Sequence, residues 1–256
     1  MRALVTGASS GIGSALARRL AGRGVEVWLA ARRSGPLEAE VAAIAAAGGR
    51  AHALTLDVSD PDATFARLEK LDEEVGGIDL VVANAGVAGE GHALPHLASW
   101  ASTREMIGTN FVGAIATLAP FIPRMVARGQ GQLVGISSIA ALLVNPPGAV
   151  YTATKAGLST YLESIDIDLR PRGVAVTCVE PGFIATDAAR RSNGARMPLV
   201  VSVERCVEII DHAVQRRVRM CRFPWLTGAA ARALTGLPRP IRGPLIRRLS
   251  RKPEGT

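Results

Sequence analysis

The chain holds two tyrosines and three lysines, and one of each stands four apart in Tyr151-Thr152-Ala153-Thr154-Lys155. A Tyr-x-x-x-Lys is expected by chance only roughly 0.02 times at this composition. In a helix the two side chains share one face, about 6 Å apart along the axis. An ammonium beside a phenol favours phenolate and lowers the tyrosine pKa from about 10 towards neutrality, where the oxygen can give or take a proton. A short hydroxyl donor steadies a carbonyl oxygen, and by sequence Ser137 and Ser138 are equally good candidates. Tyr161 has no basic residue four positions on and reads as packing.

A second constellation lies near the start, in Thr6-Gly7-Ala8-Ser9-Ser10-Gly11-Ile12-Gly13. It follows a strand-like run and opens a helical one, where glycines let backbone approach a pyrophosphate and a helix N-terminus attracts the charge. Its glycines have three and one residues between them, unlike G-x-G-x-x-G. Many NAD-binding units carry an acid about 20 residues further on, for the ribose 2′-OH. Here that window reads Ala30-Ala31-Arg32-Arg33-Ser34, with no acid. Arg32 and Arg33 instead offer a guanidinium fork to a 2′-phosphate, so NADP(H) is favoured over NAD(H).

The elements that must position these residues alternate. Strand-length apolar runs cover Arg2–Thr6, Val25–Ala30, Ala51–Leu56, Ile78–Ala83, Gln132–Ile136 and Val174–Val179, with a seventh near Val218–Phe223. Helical patterns cover Ile12–Arg23, Pro36–Ala47, Pro61–Val75, Ala101–Arg128 and Ala149–Arg170. Strands that are short, apolar and not alternating suit a sheet covered on both faces. Repeated β-α-β units then predict an α/β, doubly wound, parallel Rossmann sheet of about seven strands. No linker or fixed-period repeat is visible, so one domain is expected: 1–223 as the dinucleotide-binding and catalytic part, 224–256 as its basic extension.

Taken together, the glycine turn and the Tyr-x-x-x-Lys resemble the short-chain dehydrogenase/reductase family, whose first turn reads T-G-x-x-x-G-x-G. The resemblance continues in the family's order over about residues 2–190. Asp57-Val58 follows strand three, where the family contacts adenine, and Asn84-Ala85-Gly86 matches its N-A-G. Pro181-Gly182, with Ile184 and Thr186, matches P-G-x-x-x-T. The family's serine, thirteen residues before the tyrosine, falls on Ser138, and its helix asparagine on Asn110. The resemblance implies a catalytic set of Ser138, Tyr151, Lys155 and Asn110. Ser138 would steady the substrate oxygen, Tyr151 exchange its proton, Lys155 tune Tyr151 and hold the nicotinamide ribose, and Asn110 hold a water behind the lysine. Gly7, Ser9, Ser10, Gly11, Ile12 and Gly13 would line the cofactor's phosphates. An alanine at the acid position followed by arginine is similar to NADP-preferring members. The family assembles as homodimers or homotetramers through the helices that fall here at 101–128 and 149–170.

The expected activity is hydride transfer between a nicotinamide and the carbonyl or carbinol carbon of an apolar ketone, aldehyde or secondary alcohol. Met197, Leu199, Val200 and Val201, in the 187–201 stretch where the family carries its lid, suggest apolar contact, while Arg190, Arg191 and Arg196 could reach a charged group. The rivals are a non-catalytic cofactor sensor on the same fold and a membrane-associated reductase of lipid-, retinoid- or steroid-like substrates. A sugar-nucleotide epimerase is disfavoured, because little chain remains for a second domain.

Composition narrows the setting. With 48% hydrophobic and 20% charged residues the chain is neither disordered nor collagenous. No run of about 18 uninterrupted apolar residues suggests a spanning helix. Cys178, Cys206 and Cys221 are far apart and read as free thiols, and with no leader-like start the reading is cytoplasmic. His92 and His96 flank Pro95 without a completing cluster, so no metal is expected. Glu163, Asp166 and Asp168 read as a solvated or interface face. Residues 216–256 hold eleven Arg/Lys against one acid, +10; the whole chain is +8, so the first 215 residues sum to −2. Pro224, Pro238, Pro240 and Pro244 are expected to break any long helix there. The basic tail reads as an extension folded over the core, with weak membrane-surface contact as the alternative and no nucleic-acid motif.

Overall fold

The computed structural model describes residues 1–88, 99–186 and 199–250. Seven parallel strands form one sheet: β1 (Arg2–Thr6), β2 (Glu26–Ala31), β3 (Arg50–Thr55), β4 (Leu80–Ala83), β5 (Gly131–Ile136), β6 (Val174–Pro181) and β7 (Met220–Phe223). Their order is β3-β2-β1-β4-β5-β6-β7, so the direction of strand addition reverses between β1 and β4. Parallel neighbours demand crossovers, and helices cover both faces. Every residue of β4, β5 and β6 is buried, which is why these strands carry no polar alternation.

The helices are α1 (Gly11–Gly22), α2 (Ser34–Ala46), α3 (Pro61–Glu74), α4 (Trp100–Ala127), α5 (Ala149–Leu169), α6 (Val203–Gln215), α7 (Trp225–Gly236) and α8 (Arg239–Ser250). Leu16, Leu20, Leu37 and Ile210 close one face of the sheet; Leu68, Phe121, Leu158 and Leu162 close the other. Local signals set the boundaries. Asp60 accepts from the Ala63 amide (3.0 Å) ahead of Pro61, and Ser202 accepts from the Arg205 amide (3.2 Å). α4 is long and apolar enough, by length and composition, to cross a bilayer, but it is a core helix whose Leu118, Phe121 and Met125 are fully buried. It is interrupted by a π turn at Gly108–Val112 and a 3₁₀ turn at Ala119–Phe121, the latter holding Pro120.

One expectation is met with a refinement and one is corrected. No long helix runs through the tail, which Pro238 divides into α7 and α8, but Pro240 is tolerated in the first turn of α8, where amides have no helical partner. Pro244 alone falls inside a helix. Asp166 is not a solvated residue: it is buried, paired with Arg170 (2.6 Å) and Arg219 (3.3 Å), and accepts from the Val176 amide. Glu163 and Asp168 are exposed. His92, His96 and 187–198, with Met197 and Arg190, Arg191 and Arg196, lie outside the described residues.

Candidate active site

The carboxyl ends of β4 and β5, the π turn of α4 and the first turns of α5 meet at one place. Ser138 follows β5 and caps the short turn Ile139–Leu142, accepting from the Ala140 amide (3.1 Å). Its hydroxyl lies close enough to the Tyr151 phenol to lower that phenol's pKa. One helical turn on, Lys155 is 4% exposed, and its Nζ donates to the Ile136 carbonyl (2.8 Å), 5.9 Å from the centre of the Tyr151 ring. The three residues are therefore together. Of the two serines, Ser137 turns away: its Oγ donates to the Lys155 carbonyl (2.9 Å) and pairs with Ser159 (2.8 Å).

The electrostatics differ from the expected lysine-activated phenol. Burial raises the Tyr151 pKa above 10, and the Ser138 hydroxyl offsets this only in part. Burial lowers Lys155 from 10.5 to about 8. Loss of solvent dominates at both groups, and the ammonium is directed to the Ile136 carbonyl. At neutral pH the site holds a protonated phenol beside an ammonium.

Asn110 sits in the π turn and is fully buried. Its Oδ1 accepts from the Val87 amide (2.7 Å) and its Nδ2 donates to the Val87 carbonyl (2.8 Å), with Thr154 at 3.5 Å. Both ends of the amide thus clamp the segment after β4 against α4. A Cβ on Gly86 would lie 3.2 Å from Asn110 Oδ1 and 3.6 Å from Lys155 Nζ, so the glycine keeps that spot open.

The glycine turn owes its residues to packing as much as to approach by a ligand. Gly7 and Gly11 have φ +66° and +59°, the region L-residues avoid. Gly13 has no such φ, but a Cβ there would lie 2.5 Å from both Asn84 Nδ2 and the Gly7 carbonyl. Asn84 and Ala85 brace the turn: Asn84 Nδ2 donates to the Thr6 carbonyl (2.9 Å), and both backbone amides donate to Thr6 Oγ1. Ser10 precedes α1 without capping it, so its hydroxyl leaves the first-turn amides free for another acceptor. Ser10 is exposed; Ser9, Gly11 and Ile12 are partly so. The Thr186 methyl lies 3.4 Å from where a Gly11 Cβ would be, across the turn from α1. Pro181 ends β6, Ile184 is buried and bridges Val201, and the Gly182 amide donates to the Phe223 carbonyl (2.7 Å).

Residues 1–196 match the family model for short chain dehydrogenase. The chain belongs to the short-chain dehydrogenase family. It is 44% identical over 249 residues, 96% of either chain, to an uncharacterized oxidoreductase of Myxococcus xanthus. It is 35% identical to a 3-oxoacyl-[acyl-carrier-protein] reductase of Synechocystis, over 75% of this chain and 77% of that one. A short-chain dehydrogenase from Sphingobium yanoikuyae, solved in complex with NADPH, superposes with TM-score 0.83 at 28% identity, over 100% of this chain and 98% of that chain. This short-chain dehydrogenase is an oxidoreductase acting on CH–OH groups.

Arg32 and Arg33 are exposed where β2 ends. Sequence reasoning missed Glu105, which α4 brings to 3.5 Å from Arg32. Asp57 is exposed and its Oδ1 accepts from the Ser59 amide (3.0 Å) and hydroxyl (2.8 Å); Val58 is buried and its carbonyl lies where a Gly113 Cβ would be. Leu199 and Val200 are exposed, whereas Val201 packs on the core. Also missed was a buried chain reaching the site from β7. Arg222 pairs with Glu180, Glu180 accepts from Ser159 (2.8 Å), and Ser159 meets Ser137. A lone glutamate in an apolar strand was its signal, since a buried charge requires partners. Among the described residues no three His, Cys, Asp or Glu cluster to hold a metal.

Proposed function

We propose that this short-chain dehydrogenase interconverts an apolar ketone or aldehyde with its alcohol, using NADP(H) in preference to NAD(H). The observation that carries the reading is the convergence of Ser138, Tyr151 and Lys155, with the serine hydroxyl acting on the phenol and the Lys155 ammonium beside the same ring. When bound, the dinucleotide supplies or accepts the hydride at the carbon centre. The uncapped start of α1, at the β1/β4 reversal, fits its pyrophosphate. Gly7 and Ser9 to Gly13 would hold the phosphates, Asp57 and Val58 the adenine. Asn84 to Gly86, Lys155 and the Pro181–Thr186 segment would line the nicotinamide half. Arg32 and Arg33 suit a 2′-phosphate, and the NADPH-bound neighbour supports that preference.

In reduction, Ser138 donates a hydrogen bond to the carbonyl oxygen, stabilising charge as it develops. Tyr151 keeps its proton at neutral pH because burial raises its pKa, and delivers it to that oxygen. The tyrosinate left behind is stabilised by Lys155, which stays charged below about pH 8. Asn110 positions α4 and the segment after β4 around this group rather than offering a free amide. Exposed Ile107, Val112 and Ile167 on α4 and α5 favour a homo-oligomer, and residues 1–223 with their 224–256 extension are read as one unit. A panel of apolar ketones and aldehydes, run with NADPH and with NADH, tests the proposal. The expected result is turnover with NADPH favoured; no turnover with any carbonyl, or a preference for NADH, would overturn it.

A further inference from the structure

α7 turns an apolar stripe to solvent. Trp225 is 71% and Leu226 54% exposed, and Ala229, Ala230 and Ala233 are exposed beside them. Positions 225, 229 and 233 recur at spacing four, as do 226 and 230, so they share one face, while Gly228 and Ala231 are buried opposite. Arg232 is the only charged residue of this helix. α8 continues the surface with exposed Ile241 and Leu245, also four apart, among exposed Arg239, Arg247 and Arg248. It is anchored by buried Ile246 and by Arg242, which donates to the Thr235 carbonyl (2.8 Å). This surface belongs to the part of the chain carrying +10, whereas the first 215 residues sum to −2.

We propose that α7 and α8 form a docking face for an anionic lipid bilayer. An interfacial helix needs an apolar stripe to enter the headgroup boundary and cations to meet lipid phosphates, and tryptophan is suited to that depth. A second copy of the chain is the poorer occupant, because a two-fold contact would set one +10 tail against another. An acidic protein would match the charge, but the α7 stripe offers it one hydrogen-bonding group, the Trp225 indole N–H, whereas a bilayer requires only apolar area. α7 packs on the Ile139–Leu142 turn that Ser138 caps, and α8 on Pro146–Gly148, which leads into Tyr151. Docking therefore sets the membrane beside the reactive group, where an apolar substrate would enter. That last step rests on the reductase reading; docking itself does not.

The test is co-sedimentation of the full chain with phosphatidylcholine vesicles, with and without phosphatidylglycerol, read without substrate. The wild-type protein should pellet with anionic vesicles and stay in solution with phosphatidylcholine alone. Each basic residue near an anionic surface contributes about fivefold in partitioning, so Arg247→Glu with Arg248→Glu should weaken binding at least tenfold. Trp225→Ala with Leu226→Ala should weaken it as well, since the apolar stripe is what inserts. Both pairs are surface changes, and carbonyl turnover in solution should be unchanged. Failure of the wild-type protein to pellet at low salt overturns the proposal. So does equal retention on immobilised polyglutamate with no effect of the Trp225 pair, which marks a charge-only site for acidic proteins. Concentration-dependent self-association abolished by the Trp225 pair, without vesicle binding, assigns the face to a second copy and also overturns it. None of these outcomes alters the carbonyl-panel result, so the two readings fail separately.

Discussion

Lys155→Met keeps the length of the side-chain stem and removes the ammonium, which separates the lysine's effect on stability from its effect on proton transfer. Burial lowers the Lys155 pKa from 10.5 to about 8, which corresponds to about 3 kcal/mol between its charged and neutral forms. The folded pKa lies below the unfolded one, so the folded chain releases this proton first. Below pH 8 both states are protonated and the fold carries the full desolvation cost. Between pH 8 and 10.5 the unfolded chain alone binds the proton, and stability rises with pH. Opposing effects from the raised pKa of Cys178, Cys206 and Cys221 begin above about 9, and from Tyr151 above 10; wild type and variant share them, so they cancel in the comparison. Urea unfolding at about pH 7 and about pH 9.5 should therefore show the wild-type protein gaining about 2 kcal/mol relative to Lys155→Met. The lost hydrogen bond to the Ile136 carbonyl shifts both pH values equally and cancels. In the carbonyl assay, wild-type reduction should fall above about pH 8, whereas the variant should be slow throughout and lack that limb. A stability difference that is the same at both pH values would refute the desolvated ammonium.

Glu180→Gln removes the carboxylate facing Arg222, whose side chain is only 13% exposed, and should destabilise the fold by about 3 kcal/mol in urea titration. Gly13→Ala should cost about 1–3 kcal/mol through overlap with Asn84 and the Gly7 carbonyl. Gly22→Ala, with open space around it, should be neutral or stabilising by about 0.5–1 kcal/mol. Arg32→Ala should weaken NADPH roughly tenfold to a hundredfold while leaving NADH unchanged. An equal loss for both cofactors in fluorescence titration would remove Arg32 from 2′-phosphate recognition.

The sheet was legible because its central strands are buried on both faces, leaving short apolar runs such as Leu80–Ala83 and Val174–Pro181. The grouping of Ser138, Tyr151 and Lys155 was legible because two lie one helical turn apart and the third ends a strand. What escaped depends on contacts between distant segments. Nothing local places Glu105 beside Arg32, or Arg222 beside Glu180. The π turn around Asn110 arises inside a continuous helical pattern and leaves no periodic mark of its own. The division of the tail at Pro238 was legible, whereas the tolerance of Pro240 and Pro244 within α8 was not. The direction of the Tyr151 shift was misjudged because spacing shows which charge is near, but only the fold shows how dry the site is.

The most direct measurement compares Tyr151→Phe with the wild-type protein in NADPH-dependent carbonyl reduction, with NADPH binding followed in parallel. Loss of the phenolic proton should slow turnover by about a thousandfold, within the usual range for a general acid, and leave NADPH affinity intact. A phenylalanine variant that turns over within about tenfold of wild type would contradict the account.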